Sequence, residues 1–277
     1  MTIETALIVW DQLEKSRDML EKCEGRVKTA GLNALNHIGK ARQIAEIDPQ
    51  MACFRAICAE EEAATSLLAS LRDQQYPFSD QTNWQSHDNK AGVIVLIKAV
   101  TIWFESSFDF DQLPFMKPRL IITDEPGRPA IELIFPFKEI DKCLRPRPPL
   151  NLRAQGDIAM KDMIGDFLRK NVKRKLPAEV KGFIKKRANE RNLLLYASDT
   201  ALPGCFSDVN LYLINQAAIV NALITAVGLI DPWRKPDYPF SGIVEAALEE
   251  YVHIMKSGRK NRLQAGRETL DGDVHQA

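Results

Sequence analysis

The stretch CFRAICAEEEAATSLLASLR, residues 53–72, decides how the chain is read. Taken as a helix, it sets three consecutive carboxylates, Glu60, Glu61 and Glu62, in an otherwise apolar run. At about 100° per residue, counted from Phe54, Cys58 lies near 40°, Glu61 near −20°, Thr65 near 20° and Leu68 near −40°. Glu61 therefore falls in the middle of the apolar face. Glu62 projects beside Arg55, and Glu60 projects away, toward water. A carboxylate in a core must be paired, hydrogen-bonded or protonated. The partners on offer are His37 and Lys40 in NHIGK (36–40), and His87 and Lys90 in SHDNK (86–90). Glu61, Glu62, Arg55, His87 and Lys90 form the candidate polar core. One reading is an ion pair that fixes how helices pack. The other is a metal site, for which Glu-x-x-His occurs once, as Glu250–His253, where a ferritin-like di-metal bundle needs two.

Helical signals surround this stretch. Residues 2–24 carry Leu7, Trp10, Leu13, Met19 and Leu20 near helical spacing. A second helix is predicted over 26–47, and Asp48-Pro49 supplies the N-cap and first residue of the third. A fourth apolar segment spans 84–104. Its VIVLI core (93–97) is β-branched enough for a strand, but its length favours a buried helix. Residues 1–105 thus predict an antiparallel helical bundle.

The pattern then changes. SSFDFDQLPFMKP (106–118) reads as a linker. RLIIT (119–123) and AIELIF (130–135) flank DEPGRP (124–129), a β-hairpin signal. An isolated hairpin is marginal, so this one must pack on something. LRPRPPL (144–150) breaks the chain. Helices return over 158–172, 178–191, 208–229 and 241–256, and 257–277 lacks apolar periodicity and predicts a disordered tail. The fold class is mainly α: an N-terminal antiparallel bundle (1–105), an inserted hairpin with its linker (106–150), and a C-terminal group of helices (151–256).

Composition narrows the function. The 277 residues carry 45% hydrophobic and 27% charged side chains, as in a globular protein. Five cysteines with no CxxC pair fit a reducing cytosol. The opening MTIETALIVWDQLEK has no basic leader, and the apolar run 91–104 is interrupted by Lys98 and falls short of the roughly 20 residues a bilayer crossing takes. The expectation is a cytoplasmic protein with no membrane partner. No G-x-S-x-G, P-loop or G-x-G-x-x-G motif is present. The position two after Glu132 is Ile134, not the lysine of a nuclease E-x-K pattern. No cofactor and no metal set is read from the chain.

Charge is divided unevenly. Residues 1–111 hold 11 Lys+Arg against 17 Asp+Glu, and residues 112–277 hold 26 against 20. The excess cations gather in RKNVKRKLPAEVKGFIKKRANER (169–191), with ten Lys/Arg and two acids. Arg169, Lys170, Lys173, Arg174, Lys175, Lys181, Lys185, Lys186, Arg187 and Arg191 are the candidate nucleic-acid ligands, through salt-dependent attraction to phosphate. The competing readings are a solvated basic face and a contact for the acidic N-terminal half.

Two motifs carry a family resemblance. Arg55 followed after four residues by Glu60-Glu61, then WQSHDNK (84–90) leading into an apolar helix, resembles the HEPN superfamily, closest to its abortive-infection branch, over residues 20–104. The resemblance implies an α-helical bundle, often dimeric, and often tied to RNA cleavage in phage defence or toxin systems. It departs at one point. Active members place a histidine four to six residues after an arginine, whereas here the nearest preceding arginines stand 11, 15, 19 and 8 positions before His37, His87, His253 and His275. The ribonuclease dyad is absent in its linear form. Three functions remain: an RNA-binding protein with unproven ribonuclease activity, a homo-oligomeric scaffold pairing acidic with basic halves, and a metal-dependent enzyme using Glu61 or Glu250 with His253.

Overall fold

The computed structural model describes residues 3–107, 111–125, 128–146, 150, 162, 164–167, 170, 177–197, 204, 206–230, 233 and 240–256. The fold is mainly helical with a small antiparallel sheet. Helices α1 (Ile3–Lys22), α2 (Gly25–Ile44), α3 (Pro49–Asp73) and α4 (His87–Ser107) precede strands β1 (Arg119–Glu125), β2 (Arg128–Pro136) and β3 (Cys143–Leu144). Then come α5, helical at residues 162, 164–167 and 170, α6 (Pro177–Leu195), α7 (Val209–Leu229) and α8 (242–256). The β-branched segment at 93–97 is helical, within α4. The tail 257–277 lies outside the described residues.

Local chemistry sets the helix starts. The Asp48 carboxylate accepts the Met51 amide at 2.9 Å, with Pro49 in the first turn. Asp208 caps α7 in the same way, accepting from Leu211 at 2.9 Å. Ser241 holds the start of α8, accepting from the Val244 amide at 3.4 Å and donating to the Leu150 carbonyl at 2.6 Å.

The third helix is the axis of the molecule. Ala52, Ala56, Ala59, Ala63, Ala64 and Ala69 are all buried, so neighbours approach α3 from several sides. It packs against α2, α7, α6 and α4. Opposite it, a Cβ on Gly31 of α2 would come within 2.5 Å of the Leu20 side chain and 3.1 Å of Ser66 Oγ. A helix from the C-terminal group joins the bundle around α3. The apolar helix α7, whose centre lies about 160 residues downstream of the centre of α3, packs against α1, α2 and α3, while α4 packs on α3, α6 and α7. By length and composition α7 would suffice to cross a membrane, but 44% of its apolar window is buried inside this fold.

The hairpin forms where the sequence predicts, with Leu120 opposite Leu133 and Ile122 opposite Ile131. It packs on α7 and α1 through β2, whose Ile131, Leu133 and Phe135 are buried. Gly228 permits this seat: a Cβ there would stand 2.7 Å from Met19 Sδ and 2.8 Å from Ile131 Cγ1. The short β3 and the Phe115–Phe137 bridge, neither foreseen, extend the sheet at its ends. One hydrophobic cluster joins α1–α4, β2, α7 and α8.

Candidate functional site

The acidic step of α3 is met by the basic helix α6. Arg187 and Arg191 stand one turn apart on α6, so both reach the same neighbour. Arg187 Nε donates to Glu60 Oε1 at 2.7 Å, and its Nη2 donates to Glu60 Oε2, a bidentate pair. With its amide nitrogen turned to the carboxylate, Gln216 of α7 donates to Glu60 Oε2 at 2.7 Å. Its oxygen accepts from Arg187 Nη2 at 3.3 Å and from the Tyr212 hydroxyl at 2.9 Å. The pair is deep: side-chain exposure is 9% for Glu60 and 14% for Arg187. Burial pulls the Arg187 guanidinium down, but the hydrogen bond and charge of Glu60 outweigh it and hold its pKa above the ordinary value. Burial raises the Tyr212 phenol, with the Glu190 charge adding to the effect.

Beside this layer lies a shallower one. His87 Nδ1 stands 2.7 Å from Glu61 Oε1, Lys90 Nζ lies 3.9 Å from Glu61 Oε2, and Arg191 Nη1 lies 3.9 Å from the same oxygen. Arg191 Nη2 is 3.2 Å from His87 Nε2. A guanidinium has donors only, so Nε2 accepts and Nδ1 carries the proton given to Glu61. The imidazole is thus locked between a carboxylate and an arginine. Burial, reinforced by the Glu61 charge, pushes the nearby Cys58 thiol up to about 11, so it is not held as a thiolate.

The structure therefore brings Glu61, His87 and Lys90 together and adds Arg191, which had been read as a nucleic-acid ligand. Four expectations are corrected. Glu60 does not face water; it is buried against Arg187, because α3 has α6 and α7 where the projection supposed solvent. Glu62 makes no ion pair with Arg55 among the described residues; both instead act on His37, whose pKa is lowered by burial and by Arg55, with Glu62 opposing. His37 and Lys40 do not partner Glu61, and His37 Nδ1 is buried without a hydrogen bond. Arg187 and Arg191 point inward to carboxylates instead of presenting a free basic surface.

Of the remaining basic candidates, Lys170, Lys185 and Lys186 are exposed. Arg169, Lys173, Arg174 and Lys175 lie outside the described residues, as does the side chain of Lys181. Lys185 and Lys186 line an open recess of about 570 Å³ together with His87, Asp88 and Asn189. Glu250 is buried and His253 exposed, and among the described residues no three His, Cys, Asp or Glu side chains converge as a metal site. Sequence reading missed the Glu60–Arg187–Gln216–Tyr212 layer. Its signals were the four-residue spacings of Arg187 with Arg191 and of Tyr212 with Gln216, the latter pair polar in an apolar helix.

Compared with protein-family models, with curated proteins and with solved structures, the chain matches none.

Proposed function

We infer that the protein binds RNA through the recess beside His87, as a cytosolic HEPN-like helical protein. The observation that carries this is the recess itself: Lys185 and Lys186 are exposed, make no ion pair among the described residues, and share its wall with His87 and Asn189. Two adjacent lysines offer phosphate a sequence-independent hold. Asn189 supplies a neutral amide, and Asp88 sets a negative limit at the rim.

Binding, not cleavage, is what this arrangement favours. General acid–base chemistry on a ribose needs an imidazole nitrogen within reach of the hydroxyl. Both nitrogens of His87 are engaged, one by Glu61 and one by Arg191. Glu60 and Glu61 find cations within the same chain and so are not free to pair with a second copy.

The test is a gel shift with a fluorescent single-stranded RNA across a salt series. Lys185→Glu/Lys186→Glu should weaken binding, and replacing both lysines with alanine should flatten the dependence of log affinity on log salt by about 1–2. Absence of a shift at low salt, or indifference to the charge reversal, refutes the reading.

A further inference from the structure

A second group of cations gathers on the segment that leads into α4, apart from the basic helix α6. Trp84 lies three residues before His87 and packs, half-buried, against the main hydrophobic cluster. Its backbone is pinned on both sides. Asn83 Oδ1 accepts from the Gln85 amide at 2.9 Å, and the Asn83 amide donates to Oδ1 of the buried Asn89 at 3.4 Å. The chain arrives there through two residues in the left-handed region, Gln75 (φ 56) and Phe78 (φ 69), neither of them glycine. At the first, the Tyr76 amide donates to the Leu71 carbonyl at 3.0 Å and closes α3. The end of α3 lies against the start of α2, where Ser66 Oγ donates to the Val27 carbonyl at 2.8 Å. Each of those helix ends presents an arginine to the indole. Arg26 Cζ stands 5.6 Å and Arg72 Cζ 4.8 Å from the Trp84 ring centroid, so the two guanidinium carbons are at most about 10.4 Å apart.

This arrangement lacks an anion. Both arginines are exposed, and among the described residues neither guanidinium has a hydrogen bond or an ion pair. Glu24 and Asp73 stand close by in sequence but pair with neither. An indole face orients a guanidinium without neutralising it, and the N–H groups in the guanidinium plane stay available to an acceptor. Two like charges drawn to one ring repel until an anion joins them. With C–N near 1.33 Å and N–H···O⁻ contacts near 2.8 Å, guanidinium carbons on opposite sides of one phosphate stand roughly 8–10 Å apart, within the limit set by the ring. The place of the pair names the anion. Three residues separate Trp84 from His87, so their Cα atoms are at most about 11 Å apart. The arginines therefore adjoin the recess that holds His87, Lys185 and Lys186. A lone phosphate fills one position, whereas a strand with successive phosphates reaches both.

We propose that Arg26 and Arg72, mounted on Trp84, form a second phosphate-binding position for the same RNA strand, continuing its path from the recess across the start of α4. The inference rests on the nucleic-acid reading of that recess. Trp84 is a positioning residue, and the contact is to backbone phosphate, indifferent to base sequence. The full chain tests this by gel shift with a single-stranded RNA of about 12 nucleotides across a salt series. Arg26→Ala/Arg72→Ala should weaken binding roughly 10-fold or more and flatten the dependence of log affinity on log salt by about 1–2. Trp84→Leu changes no charge, yet should weaken binding at least about 3-fold, because the arginines lose the ring that orients them. If that variant does not fold by circular dichroism, Trp84→Phe, a weaker cation partner, should bind between the parent and the double alanine variant. Arg26→Lys/Arg72→Lys keeps the charge without the planar fork and should fall short of the parent affinity. Parent-level binding by the double alanine variant, with loss on Lys185→Glu/Lys186→Glu, overturns this proposal and leaves the recess reading standing. Loss with the arginine pair and none with the lysine pair supports the arginine site and overturns the recess reading. No binding by the parent at low salt overturns both, and parent-level binding by the tryptophan variant overturns the role given to Trp84.

Discussion

Replacing Arg187 with methionine isolates the buried half of the α3–α6 contact. Arg187→Met keeps the length of the side chain and removes the cation, leaving the Glu60 carboxylate, 9% exposed, with Gln216 as its remaining donor. Coulomb attraction across about 3 Å at an effective dielectric near 20 amounts to roughly 5–6 kcal/mol. Part of that is offset by the desolvation of both ions, and truncating one member of a buried pair costs about 3–5 kcal/mol in total. Arg191→Met is the internal control. Its guanidinium is 32% exposed and stands 3.9 Å from Glu61, which keeps His87 and Lys90. Solvent screening limits its loss to about 0–1 kcal/mol. Urea unfolding followed by circular dichroism reads both. With an m-value of about 3 kcal/mol per molar, Arg187→Met should lower the midpoint by roughly 1–1.7 M and Arg191→Met by about 0.3 M or less. The double variant Glu60→Met/Arg187→Met should recover most of the loss, since an apolar pair of similar volume often replaces a buried ion pair without penalty. Equal losses for the two arginines, or no recovery in the double variant, would refute the distinction between a buried pin and a half-exposed one.

Two further outcomes concern pH. Burial first, then Arg55 and Lys40, lower the His37 pKa against the opposing charge of Glu62. A depressed histidine contributes stability that is present above its unfolded value of about 6.5 and is lost as pH falls below it. His37→Gln should therefore shrink the stability difference between pH 7.5 and pH 5.5, and an unchanged difference in urea midpoints would exclude His37 as its source. Burial, with Glu60 adding, raises the Glu190 pKa against Arg187 and Lys186. A raised carboxylate favours folding when protonated, below its ordinary range, and that contribution disappears as pH rises through the folded value. Glu190→Gln should be more stable than the parent at pH 7, with the gap closing toward pH 4; a gap of constant size across that range would contradict the assignment.

Much of the architecture was legible because it rests on short-range chemistry. Asp48-Pro49, Asp208 and Ser241 announce helix starts through side chains that reach amides three residues on. The hairpin is equally local: two β-branched runs on either side of a Pro-Gly pair in the sequence leave little choice of register. What was not legible depends on contacts distant in sequence. Nothing within α7 states that it packs with α1, α2 and α3 in preference to a partner nearby in the chain, since an apolar helix fits any apolar groove. Nor does the register of β1 reveal that Leu120 and Ile122 stay uncovered, because that depends on which helices reach the sheet.

The misplacement of Glu60 shows where helical projection fails. A projection supposes one face for the core and another for water. Residues 52–71 contradict that premise in their own composition: Ala52, Ala56, Ala59 and Ala63 form one stripe, yet the small residues Cys53, Ala64 and Ala69 lie on other sides of the helix and are buried too. Small side chains on several sides let α2, α4, α6 and α7 all approach, and no broad face is left for solvent. On such a helix each carboxylate needs a cation from another element, and neighbouring carboxylates about 100° apart need two cations that one element can offer together. Arg187 and Arg191, one turn apart on α6, meet that need. The same geometry puts an arginine against His87 although none stands close before it in sequence: Arg191 arrives from 104 residues downstream. A motif defined by linear spacing is thus silent about an arginine–histidine contact assembled across two helices, and it is the docking of α6 on α3, not the spacing along either, that builds the site.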